Sequence, residues 1–173
     1  MKKLCGFLVV LIVLLISGCN KEINQKNEAV TPPSFDSVIL DVTFKSTEMS
    51  AKLTKHSPHK YELQMLSPEI MKPLNLIYEN DICTVTYDGL TFETDRKRFP
   101  QSEFGGILIS SLKDIDGGII SKTPADDGTI IYKGITDYGD FNLIYDKNTG
   151  LWKEFSVEGA ELKIIFRDYT IKG

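Results

Sequence analysis

Two hydrophobic patterns divide this chain. Residues 4–16 form an unbroken run of thirteen apolar or small side chains, whereas from Val38 onward apolar residues recur at every second position. Val38, Leu40, Val42 and Phe44 alternate with Ile39, Asp41, Thr43 and Lys45, the period of a strand with one face turned inward. Met49, Ala51 and Leu53 continue the alternation after a turn, and Tyr61, Leu63 and Met65 after another, which predicts a three-stranded antiparallel meander. Ser67-Pro68-Glu69 begins a short helical turn. Leu74, Leu76 and Tyr78 then resume strand spacing, Asn80-Asp81 turns the chain into 82–87, and Asp88-Gly89 turns it into Leu90, Phe92 and Thr94.

The one clear helical period lies at 99–115. Pro100 suits a first turn, Ser102 suits a cap, and Phe104, Ile107, Leu108, Leu112 and Ile115 fall on one face. Gly105 and Gly106 each weaken such a helix by about 1 kcal/mol relative to alanine, so it depends on what it packs against. A turn is expected at Asp116-Gly117-Gly118. Strands follow near 119–122, 128–135, 141–145, 151–157 and 162–169, each bounded by turn residues. Strands and helices do not alternate as they do over a parallel sheet, so the fold class is mainly β (α+β), with about ten or eleven antiparallel strands.

The N-terminal run has a different use. A membrane-spanning helix needs about 20 apolar residues, and this run is preceded by Lys2 and Lys3 and followed closely by Asn20, Lys21 and Glu22. That is the layout of an export signal. Its end, Ile16-Ser17-Gly18-Cys19, resembles the lipobox of bacterial lipoproteins, which implies that Cys19 carries diacylglycerol and becomes the first residue of the processed chain. Two acyl chains at about 0.8 kcal/mol per buried methylene give stable anchoring where one gives only marginal binding. The expected organisation is a signal peptide at 1–18, a lipidated cysteine and tether at 19–34, and a β domain at 35–173. The tether ends in Pro32-Pro33, shows no apolar period, and if flexible spans on the order of 20 Å.

Processing changes the charge. It removes Lys2 and Lys3 and no acidic residue, leaving 18 basic against 24 acidic side chains, a net charge of −6. A clearly acidic exported domain is a poor partner for nucleic acid or for an anionic lipid surface. Only Cys19 and Cys83 survive, and with Cys19 committed to lipid no intramolecular disulfide is expected. Arginine is scarce beside lysine, with Arg96, Arg98 and Arg167 alone, a bias that points to an AT-rich and Gram-positive source.

Candidate chemistry is sparse. No GxSxG elbow, HExxH pair or phosphate-cradling loop is present, so the chain does not read as an enzyme, and no cofactor beyond the lipid on Cys19 is expected. The histidines of His56-Ser57-Pro58-His59 sit in a hairpin loop with no third metal ligand near in sequence. Asp126-Asp127 and Asp137-Tyr138-Gly139-Asp140 read as turns, Asp95-Arg96-Lys97-Arg98 as a solvated loop, and Cys83 as a small buried side chain. One pattern stands out. Ile130 with Ile131, Leu143 with Ile144, Leu151 with Trp152 and Ile164 with Ile165 place apolar residues on both parities of the late strands, so part of the second face is expected to be covered. Two arrangements satisfy this: a helix or the curl of the sheet, or a cavity for an apolar ligand under the helix.

The lipobox-like end, the tether, the long meander interrupted by one helix, the element Tyr145-Asp146-Lys147-Asn148-Thr149-Gly150-Leu151-Trp152 and the terminal Ile165-Phe166-Arg167-Asp168-Tyr169 together resemble the LolA-like superfamily of bacterial envelope proteins. Within it the chain is similar to small clostridial-type lipoproteins. The resemblance implies a curved antiparallel half-barrel with one or two short helices on its concave side, holding acyl chains or other apolar material. The ligand would lie against Phe104, Ile107, Leu108 and Leu112 on the helix and Met65, Tyr87, Phe92 and Tyr132 on the sheet. The implied setting is the extracytoplasmic face of a cell membrane, with lipid as ligand and an envelope protein as a further partner. The rival expectation is an anchored protein-interaction module with a filled core.

Overall fold

A computed structural model describes residues 33–95, 104–125 and 127–171, with the side chains of 113–118 and 120 left aside. Cys19, the tether up to residue 32, Arg96, Lys97, Arg98, Pro100, Ser102 and Asp126 therefore lie outside the described residues.

Eleven strands follow one another as β1 (Ser37–Phe44), β2 (Thr47–Ser57), β3 (Lys60–Ser67), β4 (Asn75–Glu79), β5 (Ile82–Tyr87), β6 (Leu90–Asp95), β7 (Ile119–Pro124), β8 (Thr129–Thr136), β9 (Gly139–Asp146), β10 (Leu151–Val157) and β11 (Leu162–Thr170). The helix α1 (Phe104–Gly118) stands between β6 and β7. All strands belong to one antiparallel sheet in the order β6-β5-β4-β3-β2-β1-β11-β10-β9-β8-β7. The order is cyclic: two meanders are sewn together where β1 meets β11, and the only sequential neighbours that do not pair are β6 and β7, the two edges. That gap is the one α1 bridges.

Tight turns explain the meanders. The Lys45-Ser46 loop has both φ angles positive, 47° and 63°, and the Asp88-Gly89 loop likewise, 47° and 81°. This is the backbone twist that lets a two-residue loop join right-handed strands without splaying them. The chain bends at bulges in the pairings of β1 with β11, β2 with β3, β9 with β10 and β7 with β8, and such insertions raise local twist and curl a sheet. The result is an open, curved sheet.

Register then decides which parity faces inward. Val38 lies opposite Leu53, Leu53 opposite Leu63 and Leu63 opposite Leu76, while on the other side Leu40 faces Phe166 and Ile164 faces Phe155. These residues are all buried and form, with Phe104, Ile107, Leu108, Ile109 and Leu112 of α1, a single core. The helix therefore packs on the concave side. It runs to Gly118 rather than ending at Ile115, so the glycine pair expected as a turn is its last turn, and β7 starts directly after it.

The second apolar parity lies on the outer face of the curved sheet. Ile131 and Ile144 stand opposite each other on the outer face, Ile144 faces the stem of Glu154, and Glu154 faces Ile165. Among the described residues no helix covers this row, since α1 packs with the inner parity. Its members shelter one another, with Ile131 and Ile144 half-buried and Ile165 44% exposed.

Candidate functional site

The buried inner wall is assembled from alternate residues of β1 to β5 and β8 to β11, so its chemistry follows from strand parity. At its centre the wall is closed. Met65 on β3 and Tyr132 on β8 are 1% and 5% exposed, and both belong to the core that includes Phe104, Ile107, Leu108 and Leu112. Six of the eight side chains expected to face a ligand are thus brought together. Tyr132 also meets Tyr145 edge-on at 6.1 Å between ring centres, and Trp152 meets Phe166 in the same manner at 5.7 Å.

The remaining two are placed elsewhere. Tyr87 and Phe92 continue the same parity as Cys83 and Val85, but at the β5–β6 hairpin the wall runs on past its cover. Tyr87 is 41% exposed, Phe92 55% and their neighbour Leu90 76%. The Tyr87 hydroxyl donates to the Ile70 carbonyl at 3.1 Å, tying this rim to the short turn Glu69–Met71. Ile70 is also exposed, so four large apolar side chains form a rim at one end of the sheet. The N-terminal residue of β1 lies at the other end, beside the Lys60 end of β3.

Two buried residues outside the set expected to face a ligand also matter. Ser111 on α1 is fully buried and its Oγ has no hydrogen-bond partner; Trp152 on β10 is 1% exposed and its Nε1 has none either. Ser111 falls on the same helical face as Ile107, Leu108 and Leu112, so the spacing that located the helix also marks it. A third such atom, Asn75 Oδ1, is on the outer parity of β4.

Titratable groups are engaged in turns and at the margins. Asp127 accepts from both the backbone N–H and the hydroxyl of Thr129, at 3.0 and 2.5 Å, bonds that hold its carboxyl below the usual range. Asp146 is lowered by the N–H groups of Asn148 and Thr149 and by Lys153. The His56 Nε2 lies 2.7 Å from Glu62 Oε2, the largest cause of the lowered Glu62 carboxyl. Burial raises the Tyr61 and Tyr169 hydroxyls, although Tyr169 donates to the Trp152 carbonyl at 2.9 Å. Cys83 is fully buried within β5. Among the described residues no group of three or more His, Cys, Asp or Glu is placed to hold a metal ion.

On the outer face, where β3 leaves the sheet at Ser67, a depression of about 540 Å³ lies between Asp41, Thr43, Glu48, Ser50, Lys163 and Ile165. Within it the Ser50 and Ser67 hydroxyls bond each other at 2.8 Å.

No family model matches the chain, and no curated protein matches it. Among solved structures it is similar to a LolA superfamily protein from Nitrosomonas europaea, at 9% identity and a TM-score of 0.43, over 85% of this chain and 90% of that one. It is also similar to an uncharacterized conserved protein from Thermus thermophilus, at 9% identity and a TM-score of 0.46, over 85% of this chain and 83% of that one.

Proposed function

We propose that this protein is a membrane-anchored, extracytoplasmic lipoprotein that binds or shields an apolar ligand, a lipid or acyl chain, between the curved sheet and α1. The observation that carries this reading is the uncovered rim: the inner wall continues beyond the helix as Tyr87, Leu90 and Phe92. A soluble domain rarely leaves large apolar side chains grouped in solvent unless something apolar meets them. The rim leads into the wall of Val85, Leu76 and Met65, so a chain entering there stays in apolar surroundings. The cover is a helix with Gly105 and Gly106 in its first turn, a poor helix in isolation and therefore one that yields at low cost.

Anchoring is supported by the lipobox-like Ile16-Ser17-Gly18-Cys19. Among the described residues, the first residue of β1, Ser37, lies toward the Lys60 end of β3, away from the rim.

Two measurements test the reading. Labelled palmitate is expected to enter the expressed protein and to be lost in Cys19→Ser; label that persists in the variant rules out this anchor. The chain beginning at residue 33 is expected to yield lipid on organic extraction or to take up an apolar fluorophore. A protein that does neither is an interaction module with a filled interior.

A further inference from the structure

We propose that the ligand is an uncharged acyl ester, whose carbonyl oxygens accept hydrogen bonds from Trp152 Nε1 on the sheet and Ser111 Oγ on the helix. The inference rests on the apolar-ligand reading above and adds the chemistry of the ligand's polar part. An indole N–H can only donate, and buried polar atoms in folded proteins are almost always matched. Here two donors, one carried by the sheet and one by the helix, are each more than nine-tenths buried and have no partner. A plain hydrocarbon would leave both as they are. The ligand therefore brings acceptors.

Charge selects among acceptors. Among the described residues no Lys, Arg, His, Asp or Glu is buried; the buried polar side chains are Ser37, Ser111, Thr129 and Thr136. A carboxylate or phosphate drawn into this interior would meet no buried countercharge among the described residues, since the Lys122 ammonium that lies 5.8 Å from the Tyr132 ring belongs to a partly exposed side chain, and burying an unpaired charge is far more costly than burying a neutral carbonyl. An ester carbonyl accepts strongly and carries no charge. A lipid with two ester-linked chains supplies one carbonyl for each donor, while its chains lie on Met65, Tyr132, Ile107 and Leu108. Asn75 Oδ1 is itself an acceptor on the outer parity and takes no part.

The test uses Trp152, the only tryptophan of the chain, as its own reporter. The full chain in digitonin micelles is titrated with three heavy-atom quenchers. They are methyl stearate brominated at mid-chain, octadecane brominated at the same positions, and the ionised brominated stearate at alkaline pH. Quenching of a tryptophan ester in the same micelles gives the baseline for partitioning. The brominated methyl ester is expected to quench Trp152 at a roughly tenfold lower concentration than the hydrocarbon, the scale of one or two hydrogen bonds to buried donors. The ionised stearate is expected to be weaker than the ester, and Ser111→Ala to narrow the ester's advantage. Equal quenching by ester and hydrocarbon overturns the inference and leaves the apolar-ligand reading intact. Strongest quenching by the ionised stearate overturns it as well. No quenching above baseline by any probe removes both. The comparison of the three probes on the unaltered chain decides the matter even if Ser111→Ala does not fold.

Discussion

Arg167 on β11 lays its guanidinium along the carboxylate of Asp41 on β1, with Nε 2.5 Å from Oδ2 and Nη2 2.7 Å from Oδ1, joining residues 126 positions apart. The fork-on-fork geometry is the most specific an ion pair can adopt. It sits on the outer face of the seam that unites the two meanders, beside the inner pairing of Leu40 with Phe166. The burial beneath it does the stabilising, and the pair above it fixes register.

That division of labour predicts a salt signature. Both partners are about half exposed, and exposed pairs contribute little against solvent screening. Arg167→Ala is expected to lower the urea midpoint slightly at low ionic strength, with the difference shrinking as salt is added. A large loss that is independent of salt would place the stabilisation in the pair itself.

Gly159 is expected to reject any side chain. A Cβ built there would lie 2.7 Å from the Tyr138 carbonyl oxygen, because the turn Glu158–Ala160 packs against the β8–β9 loop. Backbone on both sides has little room to give, so Gly159→Ala should cost about 1–3 kcal/mol in chemical denaturation, as overpacking does elsewhere.

Tyr169 predicts an alkaline limit. Its hydroxyl is raised above the ordinary value of 10.0 by burial. A group whose folded pKa is raised contributes stability that is fully present below the unfolded pKa and is lost as pH rises toward the folded one. Stability should therefore hold up to about pH 10 and fall above it, with tyrosinate absorbance appearing only as the protein unfolds. Tyr169→Phe should remove about 0.5–1.5 kcal/mol at neutral pH through the lost bond to the Trp152 carbonyl. It should also make the alkaline decline shallower. Tyr61, raised by the same cause, maintains the remainder.

The rim separates binding from folding. Leu90 and Phe92 are exposed on an edge strand, so Leu90→Asp with Phe92→Asp should change stability by no more than about 0.5 kcal/mol per site. Apolar-fluorophore affinity should fall roughly fivefold or more, the equivalent of about 1 kcal/mol of apolar contact withheld from the ligand. Unchanged affinity in a folded variant would take the rim out of the binding path.

Much of this architecture was legible locally. The strand at 82–87, with Asn80-Asp81 before it and Asp88-Gly89 after, and the strand at 151–157 coincide with β5 and β10 to the residue. Alternation and turn residues sit within a few positions of each other, so a short stretch states its own conformation. Phe104, Ile107, Leu108 and Leu112 revealed their common face in the same way. The apolar residues on both parities of β8 to β11 were harder. Their spacing shows that both faces are greasy, but not that Ile131, Ile144 and Ile165 shelter each other on the outside while Ile130, Leu143 and Ile164 fill the core.

By itself the sequence determined what each segment becomes: the strands, one glycine-weakened helix and the apolar parity of each, because these depend on backbone preference and on neighbours two to four positions away. Only the tertiary structure decided that β1 pairs with β11, that α1 bridges the two edges across the concave side, and that Trp152 and Ser111 end buried without partners while Tyr87, Leu90 and Phe92 remain uncovered. Those outcomes depend on which distant strands meet and in what register, and one residue of slip would have turned every inward side chain out.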